Sequence, residues 1–120
     1  MLPFAYQIKS AAVHSIGAID GARKGLFKPD RSTPPETFAA LDARIAETMT
    51  ALEAVTPAEL DRLVGSHVVF EMGANSMLFT VENFLLSFSQ PNFYFHAATA
   101  HGILRHSGVE IGKRDFLGVS

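Results

Sequence analysis

Residues 92–118 read NFYFHAATAHGILRHSGVEIGKRDFLG, and the reading of this stretch decides the fold. At about 100° per residue, Asn92, His96, Thr99 and Ile103 fall on one side of a helix, with Phe93, Ala100 and Leu104 flanking them. Tyr94, His101 and Arg105 fall on the other side. An apolar face at this spacing belongs against a core, so His96 is predicted to point inward and His101 to face solvent. His106 lies near the helix end, where a cation suits the helix dipole. Gly108 is the expected stop. Beyond it Lys113, Arg114 and Asp115 precede Phe116-Leu117, a tail expected to fold back onto the helices.

Upstream, Thr80 has the character of an N-cap for a helical stretch over 81–107. Pro91 falls inside it without a backbone donor, which predicts a kink or a break near Gln90. Before Thr80, Val68, Phe70 and Met72 alternate with Val69 and Glu71, residues 73–76 supply turn chemistry, and Met77-Leu78-Phe79 are apolar again. The pattern predicts a small β-hairpin, which must lean on the helices because a lone hairpin is marginal in water. Thr56-Pro57-Ala58-Glu59 has capping-box spacing and opens a short helix ending near Gly65.

Phe38, Leu41, Ile45, Met49, Leu52 and Val55 keep helical spacing, while Asp42, Arg44, Glu47 and Glu53 lie off that stripe. Thr33 is the predicted N-cap of this helix, with Pro34 at its first position and Glu36 three residues on. Residues 25–35 read as a loop from their Gly and Pro content. From Pro3 to about Lys24 another helix is predicted, its stripe formed by Phe4, Ile8, Ala12, Ile16 and Ile19. His14 lies across from that stripe, which predicts a surface position. His67 and His106 read as surface residues too.

The chain has 120 residues, 48% of them hydrophobic and 18% charged. That suits one domain over 1–120 with a sizeable core, and a mainly all-α bundle with one hairpin. A net charge of −2 argues against nucleic acid as a partner, since that usually requires a basic face. The absence of cysteine excludes disulfides, thiolate catalysis and cysteine-bound zinc. No segment has the roughly 18 consecutive apolar residues of a membrane helix, so no membrane partner is expected. The N-terminal stretch lacks the basic region of a signal peptide, and the cytoplasm is the expected location. No Gly-rich phosphate loop, H-E-x-x-H or G-x-S-x-G pattern is present.

The run Pro91-Asn92-Phe93-Tyr94-Phe95-His96, then Thr99-Ala100, Ile103-Leu104-Arg105, Gly108-Val109 and Gly112 to Gly118 (GKRDFLG) resembles the ending of one bacterial domain-of-unknown-function family in the DinB/YfiT-like superfamily. The order helix, helix, hairpin, kinked helix, tail is similar to it as well. The resemblance implies a DinB-like up-down helical bundle. Members of that family carry an extra N-terminal helix, so it also implies a four-helix bundle whose first helix is missing here. Apolar surface left by a missing neighbour favours association, and self-association as a homodimer or higher oligomer is expected.

The same resemblance implies a metal hypothesis. Many DinB-like proteins hold a divalent ion with three histidines, one from the second helix and two, four residues apart, from the last. Some act as thiol-dependent transferases or isomerases. His96 takes the place of the second histidine of that pair and Asn92 the place of the first, and asparagine is a poor ligand for zinc or nickel. His96 and Asn92 are therefore the candidate metal residues, and they fall short of the three ligands a catalytic centre needs. The expectation is a non-catalytic oligomeric helical module with no cofactor and no catalytic residues. The competing reading is a DinB-like metal-dependent enzyme whose site is completed across a dimer interface.

Overall fold

The computed structural model describes residues 2–119. The chain opens as one continuous helical rod with a widened turn in it. α1 (Phe4–Ala12) runs through a π-helical turn, π1 (Val13–Gly17), into α2 (Ala18–Lys24). A π turn leaves carbonyls without their usual i+4 donors, and here the Ser15 hydroxyl donates to the carbonyls of Ala11 at 2.8 Å and Ala12 at 3.1 Å. Gly25, at φ 74°, ends the rod in the left-handed conformation that favours glycine.

The next residues differ from the expected loop. Leu26–Phe27 form a short strand, β1, that pairs in parallel with β2 (His67–Met72). β2 pairs antiparallel with β3 (Asn75–Thr80), so the predicted hairpin is present inside a three-stranded sheet of order β1-β2-β3. Gly73, at φ 62°, opens its tight turn.

α3 (Phe38–Glu53) starts four residues later than the Thr33 cap implies. Thr37 is the N-cap, its Oγ1 accepting from the Ala40 N–H at 3.1 Å. Two competing caps lay four residues apart, and the Pro34-Pro35 pair favours extended backbone before it. Thr56 caps α4 (Pro57–Leu63) as predicted, accepting from Glu59 N–H at 3.2 Å. The Glu59 carboxylate does not close a capping box. It accepts instead from Arg23 Nε and Nη2 at 2.9 Å each and ties α4 to α2.

Thr80 caps a second continuous rod, accepting from Asn83 N–H at 3.2 Å. This rod is α5 (Val81–Asn83), a second π turn, π2 (Phe84–Ser89), and α6 (Gln90–His106). Pro91 does not break it: the irregularity is the π turn just upstream, and Pro91 sits in the first turn of α6. The Phe88 carbonyl accepts from Asn92 Nδ2 at 2.8 Å, a bond that uses a side chain near the residue lacking an N–H. After Gly108, α7 (Lys113–Leu117) folds back, and Phe116 meets the edge of the His101 ring at 5.6 Å between centroids. His101 is half-buried under this tail, its Nε2 donating to the Gly112 carbonyl at 2.9 Å. It does not face open solvent.

Packing is uneven along the molecule. The tightest core is Ala18, Ala22, Phe27, Val68, Val81 and Phe84, where α2 and π2 meet the sheet. The other end, where α1 is flanked by α3 and α6, leaves a groove of about 820 Å³. Its floor includes Ile8 and Ala11, one wall Ile45 and Met49, the other Phe93 and Leu104. No described helix is long and apolar enough to cross a membrane.

Candidate functional site

α1 has two interior faces. The predicted stripe, with Phe4, Ile8 and Ala12, looks into the groove. The opposite face, with Tyr6, Gln7, Ser10 and His14, packs towards α6, the loop and the sheet, and Gln7, Lys9 and Ser10 are buried. The surface position expected for His14 is thus overturned. Its angle from the stripe was right, but the far side of a central helix is interior too. The signal in the sequence was the spacing of Gln7, Ser10 and His14, a polar stripe at helical intervals.

π1 carries His14, and α6 carries His96 opposite it. The two imidazoles lie 8° from parallel with centroids 5.8 Å apart. His96 points inward as expected. Its hydrogen-bond partner is Gln7 Oε1, 2.7 Å from Nδ1. Gln7 Nε2 donates to the Leu2 carbonyl at 3.1 Å, so Oε1 is free only to accept. His96 Nδ1 therefore carries the proton of the neutral ring, and Nε2 carries the lone pair.

Burial pushes the His14 imidazole down to about 4, and the neighbouring His96 adds to the shift. Burial also lowers His96. Both rings are neutral at pH 7. His14 Nδ1 is buried with no hydrogen-bond partner among the described residues, as is Ser89 Oγ. Aromatic rings enclose His14: Phe27 at 5.8 Å and Phe88 at 5.7 Å between centroids. His14 and Asn92 line one small cavity, while His96 lies on a second recess with Tyr6 and Gln7.

These residues do not amount to a three-ligand metal centre. His14 and His96 supply two imidazoles. Asn92 spends its amide N–H on Phe88 and is a weak oxygen donor for zinc or nickel. Gln7 Oε1 is engaged by His96. No group of three or more His, Asp or Glu among the described residues is placed to hold a metal ion.

The fold and this histidine pair can be set beside known proteins. The family described as "Domain of unknown function (DUF1993)" matches residues 1–117. The chain belongs to that family. It is also similar to a DinB family member protein from Shewanella denitrificans, known from a crystal structure. The two are 30% identical, with a TM-score of 0.73 over 100% of this chain and 67% of that one. No curated protein matches the chain. This DUF1993 chain is therefore mostly helical and DinB-like, with the small sheet described above.

Proposed function

We propose that this DUF1993 chain is a non-catalytic helical module that works as a homo-oligomer, a second copy filling the groove between α1, α3 and α6. The observation that carries this reading is the groove itself, about 820 Å³ and lined almost wholly by apolar side chains. Exposed apolar surface on this scale usually marks an interaction site. A helix laid between α3 and α6 completes a four-helix bundle in which α1 gains a neighbour on its second interior face.

A second copy suits the place because one chain carries both halves of the fit. Along the groove's α3 wall runs an apolar ridge in which Phe38 is 77% exposed and Met49, part of that wall, is 56% exposed. Two copies related by a two-fold axis can set the ridge of each into the groove of the other, the self-complementary arrangement typical of dimers. The test is solution mass across a dilution series, with Met49→Glu as the variant. A wild-type dimer that the variant turns into a folded monomer supports the reading, and a wild-type monomer at micromolar concentration contradicts it.

One observation favours a second reading. His14 and His96 are brought side by side, and a DinB-like metal-dependent enzyme would need one further ligand from another copy. Elemental analysis separates the readings: stoichiometric zinc or nickel, lost in both His14→Ala and His96→Ala, favours the enzyme.

A further inference from the structure

On the face of α1 opposite the groove, Lys9 is only 3% exposed. Its Nζ donates to the carbonyls of Asp30 and Ser32 at 2.8 Å each, and the Tyr6 ring lies 5.1 Å away. None of the ion pairs among the described residues involves Lys9. The nearby Asp30 carboxylate accepts from the Ser32 N–H and hydroxyl and acts on Lys9 only at longer range. A buried charge is costly unless it is paired, and here backbone dipoles compensate it in part.

Lys9 borders a cavity of about 120 Å³ that reaches from the loop at Asp30 to His14 and Asn92. One part of its lining is polar, from Lys9, Ser10, Tyr6, Asn92 and the acidic Asp30. The other part is aromatic, from Phe27, Phe70 and Phe88. His14 lines the cavity as well, and its Nδ1 is buried with no hydrogen-bond partner among the described residues. A cavity of roughly 150 Å³ can hold benzene, so this one, about 120 Å³, suits a molecule of about five or six non-hydrogen atoms. Both π turns border it, π1 through His14 and π2 through Phe88, and such turns recur at functional sites.

We propose that this cavity binds a small organic carboxylate, its charged end on Lys9 Nζ and Ser10 Oγ and its apolar body against Phe27 and Phe88. The ammonium favours a monoanion over a neutral or cationic molecule of the same shape, because Lys9 makes no close ion pair among the described residues and Asp30 acts on it only at longer range. An inorganic anion would leave the aromatic wall without a contact and so lacks the apolar burial that an organic carboxylate gains. The site lies across α1 from the groove and stands whether or not the groove takes a second copy.

The test is titration of the full chain with butyrate, read by NMR at the His14 ring and the Ser10 amide. Butyramide and butylamine are the neutral and cationic counterparts. The expected result is saturable butyrate shifts at these two residues, with a dissociation constant of about 1–10 mM, as suits a ligand of this size. Butyramide and butylamine should bind at least about tenfold more weakly. Lys9→Met should weaken butyrate about tenfold or more. Because Lys9 also holds the loop, Ser10→Val serves as a second variant, removing a donor and narrowing the cavity while Lys9 stays. Loss of butyrate binding in folded Ser10→Val supports the site. Absence of saturable shifts, equal binding of butyramide, or undiminished binding by Ser10→Val would overturn it.

Discussion

The imidazoles of His14 and His96 lie nearly parallel with centroids 5.8 Å apart, one from the first helical rod and one from the last. Neither has a carboxylate partner among the described residues, and burial holds both below the ordinary histidine range.

This arrangement makes stability depend on pH in a defined window. His14 titrates at about 4 in the folded chain against an ordinary 6.5. Between those values the unfolded chain binds the proton and the folded chain does not. Stability is therefore full above pH 6.5 and declines as pH falls towards 4, and His96 contributes in the same direction. Discounted for partial exposure, the loss is on the order of 1–2 kcal/mol. Urea denaturation at about pH 7.5 and pH 5 measures it, and His14→Gln should flatten the difference.

Gln7→Glu tests the tautomer of His96. The substitution places a carboxylate where the Gln7 amide oxygen now stands, 2.7 Å from His96 Nδ1. An anion at this distance stabilises the imidazolium, so the His96 pKa should rise. Titration of the His96 ring by NMR reads the change, and an unmoved pKa would mean that the Gln7–His96 bond does not form in solution.

Gly21 marks the closest approach of α2 to the sheet. A Cβ there would meet Phe27 Cβ and Cδ2 at 3.1 Å and the Leu26 carbonyl at 3.4 Å. Glycine costs a helix interior about 1 kcal/mol relative to alanine, so relief of that cost opposes the clash in Gly21→Ala. Gly21→Val gains less of this compensation, brings more bulk against Phe27, and should destabilise by about 1–3 kcal/mol. Chemical denaturation decides it, and a valine variant as stable as wild type would contradict the packing described for Phe27.

The start of α3 separates two threonines. Thr37→Ala removes the acceptor for the Ala40 N–H and should cost about 1 kcal/mol. Thr33→Ala, in exposed extended chain, should be neutral within about 0.5 kcal/mol. Comparable losses from the two variants would place the cap elsewhere.

The helices were legible because their apolar spacing and the Thr56 and Thr80 caps are local signals. The hairpin was legible from alternation. β1 was not, since two residues carry no period and their strand character comes from pairing with Val69 and Phe70 far along the chain. Of the candidate site, His96 was read as inward from helical angle alone. His14 was not, because the angle says which residues lie together but not how many sides of a helix are covered. Asn92 holds the Phe88 carbonyl, and the burial of Lys9 comes from the carbonyls of Asp30 and Ser32, more than twenty positions along the chain, which no local pattern announces.

The central claim, that a second copy covers the α1–α3–α6 groove, is tested most directly by light scattering during gel filtration of wild type and Met49→Glu. Met49 is 56% exposed in the single chain, so the charge should leave the monomer folded by circular dichroism. The expected masses are two chains for wild type and one for the variant. A wild type eluting as a monomer at micromolar concentration, or a variant that stays dimeric, would contradict it.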